Sequence, residues 1–286
     1  MIGTPEPSVE LRLAQQSAWN VRWIAQLQDG ARVECVLYRD DTLCVSSQVG
    51  CAVGCPFCAS GANGSSRPLT FDELAGQVQA VQALGHRPAR VTVSGVGEPL
   101  HNHLAVQRFL AFCRDERLAM SLTTSGGPTA RLREWLHAPH NGLTLSIHAG
   151  SEATRARLVP HAPSLAALSE VLREHWPRMT QRRRKKTALA YLVLTGVNDS
   201  DGEVDAFRDF AREFPARVHL YAYNAVPNTA YRSTERSRFE AIYARLTAAG
   251  LRVHMSSQAR IEANGGCGTL IARHPNRPLH GNALAR

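Results

Sequence analysis

The sequence predicts an α/β fold, a partial (β/α) barrel with a short N-terminal β extension. Short runs rich in branched and aromatic residues alternate with amphipathic stretches of helical period along most of the chain. Such alternation implies parallel strands joined by right-handed helical crossovers. Glycines, hydroxyl residues, a glutamate and a histidine cluster just after the expected strands, where a barrel gathers its ligands. At 286 residues the chain is long enough for one large core.

The elements follow in order. Val21 to Leu27 and Arg32 to Tyr38 read as an antiparallel pair turning at Asp29-Gly30. Barrel strands are expected to end near Ser46, Ser94, Thr124, Ile147, Leu194, Ala222 and Met255. Val91-Thr92-Val93, Leu143 to Ile147 and Val218 to Tyr221 are typical of them. The clearest helix starts at Thr70, with Glu73 three residues on as a capping box and Gly85 as its stop. Asn102, Ser164 and Ser200 are expected to cap further helices. The boundaries drawn are 1–40 for the extension, 41–273 for the barrel core with a C-terminal cysteine loop, and 274–286 for an irregular tail. There is no internal repeat and no low-complexity tract.

Lys and Arg total 33 against 24 Asp and Glu, a net charge of +9. That excess favours a polyanionic partner. The basic run at Arg182 to Lys186 reads equally as a phosphate contact or as a solvated loop. No apolar stretch approaches the length of a membrane span, and no basic amphipathic helix with an aromatic face is evident. The N-terminus has no signal-peptide pattern. With seven cysteines, the expectation is a reducing, cytoplasmic compartment rather than a disulfide framework.

Three of those cysteines form a C-x3-C-x2-C run, Cys51, Cys55 and Cys58. Iron–sulfur clusters normally take four cysteine ligands, and structural zinc sites close with four. Three thiolates without a nearby second pair fit a cuboidal cluster with one open iron, a position for chemistry. The competing reading is a zinc site completed by a distant His or Cys. At the strand ends, Ser94-Gly95-Val96-Gly97-Glu98-Pro99 follows the second barrel strand and Thr123-Thr124-Ser125-Gly126-Gly127 the third. Ser146 and His148 end the fourth, and Asn224 follows the sixth. Glycine lets backbone approach a ligand closely, and Glu98 can hold an ammonium group. Each loop alone would be only a turn, and His148 alone a structural histidine. Their shared location is what points to a site.

The cysteine run, with Phe57 before its third thiol, resembles the signature of the radical S-adenosylmethionine (SAM) superfamily. Further stretches resemble one family within it, the radical-SAM RNA adenine methyltransferases of the RlmN/Cfr type. They are Thr42 to Cys51 at the cluster approach, Val93 to Leu100, Leu145 to Ala149, Tyr223-Asn224, Arg32-Val33-Glu34 and Cys267-Gly268. The resemblance runs from about Val33 to about Leu270 and implies a TIM-like partial barrel of the radical-SAM type. It implies that Cys51, Cys55 and Cys58 bind a [4Fe-4S] cluster. It further implies that Gly97, Glu98, Thr123, Ser146, Ile147, His148 and Asn224 contact SAM, with Thr123 keeping the hydroxyl of the family's more usual Ser. Glu34, Cys44 and Cys267 would carry the substrate chemistry. The family's helical domain ahead of the barrel has no counterpart in the matched stretch. The residues before Cys267 (Glu262-Ala263-Asn264-Gly265-Gly266) and Thr269 after it also depart from the family pattern.

The resemblance implies a two-stage reaction. The thiolate of Cys267 takes a methyl from one SAM, since the thiolate is the nucleophile. A second SAM gives a 5'-deoxyadenosyl radical that removes hydrogen from that methyl, and the carbon radical adds to the base. Glu34 then removes a proton, and Cys44 releases the product by forming a disulfide with Cys267. The expected product is an RNA methylated at an adenosine carbon, C2 in preference to C8, in rRNA or tRNA. The base must leave its stack to reach the barrel mouth. Flavodoxin or ferredoxin is the expected electron donor, with no membrane partner and a monomeric state. Alternatives are a radical-SAM enzyme with a non-RNA acceptor, or a non-enzymatic RNA-binding module whose three cysteines hold a structural metal. Cys35 and Cys113 are expected only to pack.

Overall fold

A computed structural model describes residues 7–60, 64–226 and 229–256. The chain opens with β1 (Val9–Gln16), β2 (Asn20–Leu27) and β3 (Arg32–Tyr38), then β4 (Thr42–Val45), β5 (Gln48–Gly50) and β6 (Ser65–Pro68). It continues through α1 (Phe71–Ala83), β7 (Arg90–Val93), α2 (His103–Asp115), β8 (Ala119–Thr124), α3 (Thr129–Trp135) and β9 (Gly142–Ser146). After α4 (Glu152–Leu158), α5 (Leu165–His175) and α6 (Gln181–Lys185) come β10 (Thr187–Val193), α7 (Asp201–Glu213), β11 (Arg217–Ala222), α8 (Arg236–Ala248) and β12 (Arg252–Met255).

Ten strands form one sheet in the order β1-β2-β3-β4-β7-β8-β9-β10-β11-β12. The first four run antiparallel to one another, and from β4 onward every pairing is parallel. Among the described residues β1 and β12 remain the two edges, so the barrel is open. All seven expected barrel strands are present, each ending within one residue of its expected position. The capping box at Thr70 forms as expected, and Ser164 and Ser200 each accept an N-cap hydrogen bond.

Strand period explains the layering. Val33, Cys35 and Leu37 of β3, Leu143 and Leu145 of β9, and Leu189, Tyr191 and Val193 of β10 face the helices and join the main core. Burying each such side chain contributes about 1.5–3 kcal/mol. The alternate residues of β8 and β9, namely Ser121, Thr123, Thr144 and Ser146, face inward and line cavities at the two ends of the sheet. Small hydroxyl residues add little by packing, so stability does not account for this inner face.

Three readings are corrected. Asn102 makes no side-chain cap; its amide donates instead to the carbonyls of Ser47 and Leu69, both at 2.8 Å. The basic run is not a loop: Thr180 caps it into α6. The extension holds a third strand, β1, whose mostly exposed residues gave a weak apolar alternation. Cys35 and Cys113 are buried, as expected of packing residues. No described helix is long and apolar enough to cross a membrane.

Candidate active site

The cysteine loop is held at its base by β5 and β6, which pair antiparallel. Cys51 N–H donates to the Gly64 carbonyl at 2.9 Å. Gly50 makes that approach possible: its φ is +81°, and a Cβ there would lie 1.9 Å from the Gly64 oxygen. Inside the loop, Val53 and Phe57 pack with Leu158, Val159, Leu194 and Tyr223 in a small apolar cluster that the three cysteines adjoin. The Tyr223 hydroxyl donates to the Phe57 carbonyl at 3.2 Å.

Cys51, Cys55 and Cys58 border a cavity of about 170 Å³ at the carboxyl ends of the parallel strands. Gly97, Glu98, Thr123, Ser146 and His148 line it too. Five of the seven expected SAM-contacting residues therefore meet the three thiols. Burial, with Cys58 and Glu98 nearby, pushes the Cys51 thiol up to about 12, and burial likewise raises Cys55. A cationic metal centre would reverse that preference by stabilising the thiolates. The donor set fits an iron–sulfur cluster: three soft thiols border the cavity. Among the described residues, no three His, Cys, Asp or Glu side chains form a single-ion site.

Glu98 anchors the opposite wall. Its carboxylate accepts from Leu100 N–H at 3.1 Å, Ser125 N–H at 2.7 Å, the Ser125 hydroxyl at 2.8 Å and the Thr124 hydroxyl. Its own N–H donates to Gln48 Oε1 at 2.7 Å. Gly97, at φ +110°, lets the loop lie on Gln48, whose backbone nitrogen would be 2.8 Å from an added Cβ.

His148 has a φ of +58° and is buried. Its Nδ1 accepts from Leu192 N–H at 3.0 Å, so Nε2 carries the ring proton. Burial, reinforced by Arg155, lowers its pKa to about 3, which makes it a neutral donor at physiological pH.

Arg155 was not foreseen. It is buried on α4 and donates to the carbonyls of Ser125, Ser146, Ile147 and Pro163. Three loops of the site are thereby tied to one guanidinium. Burial lowers its pKa to about 10, so it stays charged at neutral pH. Thr124, Ser125 and Gln48 were also unselected, although Thr124 and Ser125 lay in a loop already singled out.

Ile147, Asn224, Cys44 and Glu34 lie off the cavity wall. The Ile147 side chain is in the main core, and its N–H donates to Ala190 O at 3.0 Å. Asn224 is half-buried just after β11. Cys44 is buried on β4 with its Sγ 3.3 Å from the hydroxyl of Ser94, a cavity-lining residue. Glu34 is buried and ion-paired with the equally buried Arg22. Cys267 lies outside the described residues.

The chain is similar to known proteins over most of its length. Residues 45–208 match the family described as the radical SAM superfamily. The dual-specificity RNA methyltransferase RlmN of Magnetococcus marinus is 32% identical over 261 residues, covering 87% of this chain and 73% of that protein. A probable RNA methyltransferase of Azoarcus sp. is 34% identical over 262 residues, covering 89% of this chain and 74% of that protein. The crystal structure of a radical SAM methyltransferase from Sphaerobacter thermophilus matches with a TM-score of 0.80 at 26% identity, over 93% of this chain and 82% of that one.

Proposed function

The chain belongs to the radical SAM superfamily and, within it, to the RlmN-type RNA methyltransferases; from that premise we propose that it methylates an adenosine carbon, C2 in preference to C8, of rRNA or tRNA through a methyl carried on Cys267. Its cofactors are a [4Fe-4S] cluster and SAM. The observation that carries the reading is the meeting of three thiols with Glu98, Thr123, Ser146 and His148 around one cavity.

When bound, the cluster and SAM supply the radical that abstracts hydrogen. The protein's own groups do the rest. Cys51, Cys55 and Cys58 ligate the iron. Glu98, held by its four donors, takes the SAM ammonium group, and neutral His148 offers one N–H. Gly97 lets backbone approach the ligand, while Thr123 and Ser146 offer hydroxyls. Ile147 and Asn224 complete the contact through the loops that bear them. Glu34, oriented by Arg22, is the base that takes the proton from the ring carbon of the methylene-bridged adduct, whose unpaired electron passes to the electron-transfer partner. Cys44, as thiolate, then attacks the Cys267 sulfur; the carbon–sulfur bond breaks, the freed carbon takes a proton to become the methyl, and a disulfide between the two cysteines is left for the reductant to reduce. The position of Cys44 beside Ser94 supports this role, because it brings a second thiol next to the cavity wall. A cytoplasmic monomer reduced by a flavodoxin or ferredoxin completes the reading.

The two thiols give the test. Cys267→Ala should leave no methylated protein and no covalent RNA complex. Cys44→Ala should still load the methyl and attack the base, then accumulate a protein–RNA adduct through Cys267. Denaturing gels with labelled RNA and peptide mass spectrometry read both. Normal turnover of Cys44→Ala without trapped RNA would remove Cys44 from the mechanism.

A further inference from the structure

A second cavity, of about 660 Å³, opens at the amino ends of β8 to β11, the end of the sheet opposite the thiols. Four cations line it: Arg182, Lys185 and Lys186 around α6, and Arg217 at the start of β11. Ser121 and Thr144, from the inner faces of β8 and β9, place hydroxyls on its wall, and among the described residues no Asp or Glu lines it. Among the described residues, none of the four cations takes part in an ion pair, whereas Arg131, Arg173 and Arg236 elsewhere on the surface each have a carboxylate partner. Like charges crowd at this mouth: beyond burial, Arg182 and Arg183 both lower the pKa of Lys186.

The structure divides the basic run. Arg183 donates to the His140 carbonyl, and Arg184 donates to the carbonyls of Met179 at 3.1 Å and Pro177 at 3.0 Å. Those two side chains tie α6 to its surroundings and do not line the cavity. The other three turn toward it, where Arg217 joins them from a distant part of the sequence. A solvated loop needs no such division.

We propose that this cavity binds backbone phosphates of the RNA, as a second contact remote from the reacting base. The inference rests on the reading that RNA is the substrate. The volume lies in the range of small-ligand sites, room for about one nucleotide unit. Guanidinium and ammonium groups with hydroxyls at the rear suit phosphate oxygens. Strands of five to seven residues put the two mouths about 20 Å apart, a span that a folded rRNA or tRNA element bridges.

The test compares reconstituted wild-type protein with the variant Arg182→Ser, Lys185→Ser, Arg217→Ser by RNA anisotropy across a salt series. Each lost phosphate contact lowers the slope of log K against log salt by about 0.7–0.9, so three should lower it by about 2–3. Affinity near 0.1 M salt should then fall on the order of 100-fold. Iron content and thermal midpoint check the fold. A second measurement needs no variant: RNA should shield Lys185 and Lys186 of the wild-type protein from acetylation, read by peptide mass spectrometry. An unchanged salt slope, or equal acetylation with and without RNA, would overturn the proposal while leaving the methyltransferase reading intact. A wild-type protein that binds no RNA at any salt would instead overturn both.

Discussion

Glu98 receives four hydrogen bonds from Leu100, Thr124 and Ser125, at and just beyond the strand ends. A carboxylate so held is pre-oriented for a cation and does not have to reorganise when one binds. In Glu98→Gln an amide NH2 must face donors, and the negative charge is gone. Charge-assisted hydrogen bonds contribute about 1.5–3 kcal/mol, so SAM affinity should fall about 10- to 150-fold. Equilibrium dialysis on reconstituted protein reads this, with iron content unchanged. Unaltered affinity would take Glu98 out of ammonium binding. Glu98 was legible in the sequence because its glycine-flanked loop falls at a strand end together with the other polar loops. Arg155 was not: an arginine on a short charged helix reads as solvated. Only the packing of α4 against the strand ends turns it inward, where it gathers four carbonyls.

The β5–β6 pair is the element that shapes the site. It was unforeseen because β5 has three residues and β6 four, and Ser65-Ser66-Arg67-Pro68 carries no apolar alternation. Its pairing exists to close the cysteine loop, and closure depends on Gly50 meeting Gly64. Gly50→Ala would place a methyl into the Gly64 carbonyl at a positive φ, which costs at least about 1–2 kcal/mol from backbone strain alone. The variant should lose thermal stability and bind less iron after reconstitution, because the base of the loop must part. Full iron loading at the wild-type midpoint would show that the pair does not control the loop. The barrel strands were legible for the opposite reason. Runs such as Val91-Thr92-Val93, Leu143 to Ile147 and Val218 to Tyr221 are bounded by turns, so their ends could be placed within a residue. Caps were legible where hydroxyls act locally, as at Thr70, and failed at Asn102, whose amide is claimed by Ser47 and Leu69 across the fold.

At the scale of the whole molecule, one sheet separates two polar mouths. Thiols, Glu98 and His148 gather at the carboxyl ends, and cations gather at the amino ends. The net charge of +9 announced a polyanionic partner, but composition could not say where the charge would lie. That needed the register that brings Arg217 beside α6. The meeting of Cys51, Cys55 and Cys58 at one cavity was the most legible feature, since their spacing is local. Cys267 lies outside the described residues, and its part in the mechanism rests on family resemblance. The central claim is that the three thiols make this an iron-dependent RNA methyltransferase. The most direct test incubates anaerobically reconstituted protein with SAM, a reductant and RNA, then analyses the digested RNA and the small molecules by mass spectrometry. Wild-type protein should yield methylated adenosine together with 5'-deoxyadenosine, and Cys51→Ala, Cys55→Ala and Cys58→Ala should each yield neither. Methylated adenosine from any of the three variants, or from a protein holding stoichiometric zinc and no iron, would contradict the account.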